Sequence, residues 1–152
     1  MTAASTEMIH VGALSVRFLV EAADSNGSAS VFECFVPADS KMPVPHSHDA
    51  FEETIYGLEG VTTWTVDGRT LEIRPGEAFC VPRGAVHGFD NHGTVDAKFL
   101  AISSPGVMTV RRRHLLVEWN EALEHAHAFI RVGSVNQEAH PEGAHMNHLR
   151  RS

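Results

Sequence analysis

The dipeptide Asp67-Gly68, set between Val61–Val66 and Arg69–Ile73, is the feature that most narrows the fold. A two-residue type I′ turn needs positive φ at both central positions, which Asp and Gly tolerate, and its twist matches that of the strands it joins. The flanking runs are short and β-branched on one side, so the segment reads as an antiparallel hairpin. Similar punctuation recurs along the chain. Leu14–Glu21 and Ala29–Val36 flank Asn26-Gly27; Pro75-Gly76 and Pro82-Arg83-Gly84 bracket the apolar run Ala78–Val81; Asp96–Ser103 precedes Pro105-Gly106. Many short strands separated by turn signals predict an all-β sandwich or barrel over about residues 10–104.

After Pro105 the period changes. Leu115, Leu116, Trp119, Ala122, Leu123, Ala126, Phe129 and Ile130 recur at three- and four-residue steps, which predicts an amphipathic helix packed on the barrel or on a second subunit. From Gly133 to Ser152 the chain is polar with few apolar anchors, the pattern of a flexible tail. The expected organisation is a barrel with its N-terminal strands over 1–104, a helical segment over 105–132 and a tail over 133–152. A chain of 152 residues has room for one such domain, not two.

The formal net charge of −7 gives no electrostatic reason to approach a phosphate backbone or an anionic membrane. Arg111-Arg112-Arg113 and Arg150-Arg151 are too short to reverse that, because a groove-tracking surface needs many spaced cations. Nucleic acid and membrane are therefore not expected partners. No basic start followed by an apolar stretch opens the chain and no run of eighteen apolar residues occurs, so a cytoplasmic location is expected. Cys34 and Cys80 stand apart in apolar, strand-like runs outside any C-x-x-C pattern, and both are expected to be buried free thiols.

The chemistry concentrates in two stretches. In His46-Ser47-His48, residues two apart on a strand point to one side, so both imidazoles can reach a single ion. Glu52 and Glu53 follow; adjacent strand residues face opposite sides, so only one of them reaches the interior. His87 comes soon after the tight Pro82-Arg83-Gly84 turn, which can aim it inward. Three imidazoles and a carboxylate form a mixed nitrogen and oxygen site suited to iron, manganese, nickel, copper or zinc, and unlike the all-oxygen sites of calcium and magnesium.

These residues resemble the two motifs of the cupin superfamily, G-x5-H-x-H-x(3,4)-E-x6-G and G-x5-P-x-G-x2-H-x3-N. His46, His48, Glu53 and Gly60 fit the ligand part of the first; Gly76, Pro82, Gly84, His87 and Asn91 fit the whole of the second. The leading glycine of the first is missing, with Pro43–Pro45 on that approach. The six-residue gap to Gly60 selects Glu53 over Glu52. The resemblance implies a double-stranded β-helix, or jelly-roll, barrel holding one divalent transition metal through His46, His48, Glu53 and His87. It also implies a small organic substrate and a homodimer.

With Glu53 inward, strand parity turns Ile55 and Gly57 inward, and Gly57 reads as room for substrate. Phe89 shares parity with His87, and Trp64 and Phe79 sit on neighbouring strand segments, so these five residues form the expected substrate pocket. Arg83 is expected in solvent. His125 and His127 repeat the His-x-His spacing, but on a helix they point about 200° apart. His10, His92, His114, His140, His145 and His148 are read as surface residues.

Four protein ligands leave about two positions open on a six-coordinate metal, the arrangement of a catalytic site. The resemblance is strongest to small quercetin-dioxygenase-like cupins, which implies dioxygen chemistry on an enol, diol or diketone chelated to the metal. Glu53 is the expected catalytic residue, as ligand and then base. The alternatives are a metal-dependent isomerase, lyase or decarboxylase, or a cupin that binds a small ligand without turning it over.

Overall fold

A computed structural model describes residues 7–42 and 44–106 and the backbone strand at 130–132. Strands β1 (Met8–Val11), β2 (Leu14–Val20), β3 (Ser30–Val36), β4 (Ser40–Lys41), β5 (His46–His48) and β6 (Glu52–Glu59) are followed by β7 (Thr62–Val66) and β8 (Arg69–Ile73). Then come β9 (Ala78–Val81), β10 (His87–Asn91), β11 (Ala97–Ser104) and β12 (Ile130–Val132). One sheet has the order β1-β2-β3-β11-β6-β9 and the other β12-β5-β10-β7-β8, with β4 also pairing β10. Two such sheets closing face to face form the expected all-β jelly-roll barrel.

The turns follow from local chemistry. Asp67 and Gly68 take φ of 47° and 76°, and β7 pairs β8 in the register Val66↔Arg69, the type I′ hairpin the dipeptide dictates. Asn26 and Gly27 also have positive φ, and β2 pairs antiparallel with β3. Alternation along β3 and β11 buries every second residue, so Phe32, Cys34, Val36, Ala97, Phe99 and Ala101 face inward. Between the sheets Trp64 meets Phe99 with ring centroids 5.1 Å apart, and Phe89 meets Phe99 at 4.9 Å, both edge-on, the arrangement that ring quadrupoles favour.

Several expectations change. The predicted helix lies outside the described residues except at its end, where Ile130 belongs to a strand that runs parallel to β5. The expected tail, Arg111–Arg113 and the histidines from 114 onward also lie outside the described residues. Cys34 is buried but Cys80 is exposed, because the outward face of edge strand β9 carries it; both are free thiols. Burial pushes the Cys34 thiol pKa up, with Glu53 adding to the effect, so it stays protonated and inert. No helix among the described residues is long and apolar enough to cross a membrane.

Candidate metal centre

His46 and His48 occupy both ends of the three-residue strand β5 and are buried, whereas Ser47 between them is not. Their Nε2 atoms are 3.1 Å apart. Phe51 holds His48 from the side, stacked on its ring at 4.2 Å and 24°. His87 is the first residue of β10 and pairs with His46 across the sheet. Its approach is fixed from two directions. The turn ending at Gly84, φ 75°, is tied to β5 by Gly84 N–H donating to the His48 carbonyl, and the Asp67 hairpin tip exchanges hydrogen bonds with Val86.

Glu53 enters from the opposite sheet. Parity on β6 buries it and leaves Glu52 outside, where Glu52 pairs with Arg83, Oε1 to Nε at 2.8 Å. That hydrogen bond lowers the Glu52 pKa and places Arg83 on the surface. Glu53 Oε2 stands 3.4 Å from His87 Nε2 and 3.7 Å from His48 Nε2. Of the four side chains chosen from the sequence, the three imidazoles offer nitrogens within 4.8 Å of one another, and Glu53 faces two of them across the barrel.

The electrostatics suit a cation. Burial lowers the His46 pKa, and the neighbouring His87 and His48 lower it further against the opposing effect of Glu53, so the ring is neutral with a lone pair to offer. Burial alone would raise Glu53; the facing His48 and His87 imidazoles outweigh it and hold the carboxyl well below the usual range. His87 Nδ1 donates to the Ala85 carbonyl at 3.0 Å, which sets the tautomer and leaves Nε2 buried without a hydrogen-bond partner. His48 Nδ1 is likewise buried without one.

These are the features of a ligand set. A coordinating histidine characteristically donates its other ring N–H to a carbonyl or carboxylate. Two donors each about 2.1 Å from one ion lie roughly 3.0–3.4 Å apart for octahedral or tetrahedral angles; two separations here, 3.1 and 3.4 Å, match, and the wider ones, 3.7 Å from His48 to Glu53 and up to 4.8 Å among the nitrogens, close by side-chain rotation onto an ion. The residues fit one transition-metal ion, and imidazole nitrogens with one carboxylate are the donor set for which such ions compete.

A cavity of about 30 Å3 adjoins the cluster. By the volume one water needs, it admits about two waters. Phe89 lines it as parity predicted and Trp64 from the neighbouring strand, and Phe32, Cys34, Met42 and Phe99 complete much of an apolar wall that the sequence had not revealed. Three other pocket residues sit elsewhere. Ile55 faces inward but is fully buried in the core; Phe79 packs edge-on behind Trp64 at 5.2 Å. Gly57 makes no room for substrate, because a Cβ there would stand 2.2 Å from the Arg74 carbonyl oxygen: the neighbouring chain fills the space. Trp64 Nε1 donates to Thr62 Oγ1, so the indole turns only apolar surface to the cavity.

Asn91, the last motif residue, is structural. It is buried at the end of β10, donating to the Val36, Pro37 and Val95 carbonyls and accepting from Gly93 N–H. His92 beside it is exposed, as is the His10–Ser15 contact on β1 and β2.

Comparison with known proteins agrees with this geometry. Residues 31–103 match the Cupin domain family model. Over 76 residues the chain is 36% identical to an uncharacterized protein of Methanocaldococcus jannaschii, covering 50% of this chain and 60% of that protein. Over 80 residues it is 36% identical to quercetin 2,3-dioxygenase of Bacillus subtilis, covering 48% of this chain and 23% of the enzyme. Neither relative is spanned to two thirds of its length. A predicted oxalate decarboxylase from Thermotoga maritima superposes with a TM-score of 0.62 at 22% identity, over 69% of this chain and 99% of the other, a likeness of fold. With the family model spanning β3 to β11 and the motif residues gathered at one buried point, this barrel belongs to the cupin superfamily.

Proposed function

We propose that the chain binds one divalent transition metal through His46, His48, Glu53 and His87 and acts as a dioxygenase on a small organic molecule bearing an enol, diol or diketone. The observation that carries the metal reading is the buried cluster of three imidazoles, with His87 Nε2 lacking a hydrogen bond and facing Glu53 Oε2 at 3.4 Å. The likeness to quercetin 2,3-dioxygenase supports the choice of reaction. When bound, the metal supplies Lewis acidity and, for a redox-active ion, access to dioxygen.

The chain's own residues supply the rest. His46, His48 and His87 contribute imidazole nitrogens. Glu53 is the one carboxylate on the cavity wall among the described residues, so its Oε atoms, once turned away from the His48 and His87 rings that hold its pKa down, are the place for a proton leaving a chelating hydroxyl. No lysine or arginine among the described residues lines the cavity, and apart from the three histidines and Glu53 its wall is apolar, which favours an uncharged substrate. Tyr56 is exposed on the outer face and takes no part in proton transfer. The cavity is too small for an aromatic body, so only the substrate's chelating oxygens fit beside the cluster.

Oxygen consumption by metal-loaded protein, screened against neutral enols, diols and diketones, tests this reading. Uptake that depends on one such compound and is lost in Glu53→Gln supports it. Tight binding of these compounds with neither oxygen uptake nor product favours a non-catalytic barrel.

A further inference from the structure

Register across the six-stranded sheet places Ser30, Ser103, Glu53 and Val81 in a single row on β3, β11, β6 and β9. All four are buried, and Ser103 has no exposed surface at all. The next row inward, Phe32, Ala101, Ile55 and Phe79, is wholly apolar. A serine is therefore placed beside Glu53 where the fold elsewhere uses hydrocarbon. Alternation on β11 turns Ser103 to the same side as Ala97, Phe99 and Ala101, toward the barrel interior.

The Ser103 hydroxyl has no hydrogen-bond partner. A buried polar group without one is unfavourable, and such exceptions in native folds mark strain, function or an absent partner. Alanine would fill the position without that cost. Directly opposed residues on antiparallel strands have Cβ atoms about 4.5–5.5 Å apart, so a serine hydroxyl lies within reach of a neighbouring glutamate carboxylate. In the present arrangement Glu53 Oε2 is drawn to the His48 and His87 nitrogens.

We infer that Ser103 is a positioning residue for Glu53, its hydroxyl donating to Oε1 when Oε2 is engaged at the metal. The inference rests on the metal reading above. The hydrogen bond holds the carboxylate in one orientation; outer partners of this kind typically change metal affinity about 10- to 100-fold. The resulting signature is asymmetric. A hydroxyl that serves only the metal-bound state contributes nothing to the metal-free fold.

The test compares wild-type protein and Ser103→Ala, measuring zinc and iron(II) affinity by chelator competition and the melting temperature of each metal-free protein. The expected result is at least a tenfold loss of metal affinity with a metal-free melting temperature equal to or above that of wild type. Equal metal affinity overturns the inference while leaving the metal centre intact. A fall in the metal-free melting temperature also overturns it, because the hydroxyl would then serve the fold itself. Failure of wild-type protein to bind either metal removes the centre, and with it the role of Ser103.

Discussion

Replacing Asn91 by alanine tests whether one side chain closes the end of β10 opposite His87. Its amide nitrogen lies 3.0, 3.1 and 2.9 Å from the carbonyl oxygens of Val36, Pro37 and Val95, and its oxygen accepts from Gly93 N–H at 2.9 Å. Two N–H groups serve three acceptors, so the substitution removes about three hydrogen bonds' worth of pairing from a residue only 2% exposed. At a net contribution of about 1 kcal/mol each, the expected loss is about 3 kcal/mol. Asn91→Asp keeps the shape and the Gly93 contact but turns a carboxylate toward three carbonyl oxygens; its expected loss is larger, about 4 kcal/mol or more. Urea denaturation of the metal-free proteins measures both. His92→Ala, at the exposed neighbour, is the control and is expected to change stability by less than about 0.5 kcal/mol. A loss below about 1 kcal/mol for Asn91→Ala, or an aspartate more stable than the alanine, would refute the reasoning.

Gly57→Ala is expected to cost about 2–3 kcal/mol because the Arg74 backbone cannot yield, whereas Gly27→Ala, with φ of 79° and open space around it, should cost about 1 kcal/mol. Similar urea midpoints for the two would contradict the close-approach explanation. For pH, the folded pKa of His46 lies well below 6.5, so below that pH the unfolded chain binds a proton that the folded chain refuses. Stability of the metal-free protein should be complete above about pH 6.5 and fall toward pH 5, by up to about 1.4 kcal/mol per pH unit from this group. His46→Gln should flatten that slope, and a flat wild-type profile over the same window would show that His46 titrates normally.

Much of the centre was legible because its determinants are local. Turn dipeptides fix hairpin register, a period of two turns only one of Glu52 and Glu53 inward, and the spacing to Gly60 selects Glu53; the ligands then fall on three strands. What escaped depends on contacts between distant segments. Gly57 looked like space for substrate because nothing near it in sequence reveals that the Arg74 carbonyl passes within 2.2 Å of where its Cβ would be. Parity alone turns Ser103 inward, but its place beside Glu53 appears only once β11 is paired with β6. Phe51 likewise could not be seen as the support of His48 before its ring was placed 4.2 Å away. Cys80 was misjudged because an apolar run does not disclose that its strand lies at a sheet edge.

Metal content per chain, measured by elemental analysis on protein purified without affinity tags or chelators and again after reconstitution, tests the central claim most directly, with His87→Ala alongside. The expected result is about one transition-metal ion per wild-type chain and a large loss in the variant while its barrel remains folded by circular dichroism. Wild-type protein that stays metal-free after reconstitution, or a variant that retains its metal in full, would contradict it.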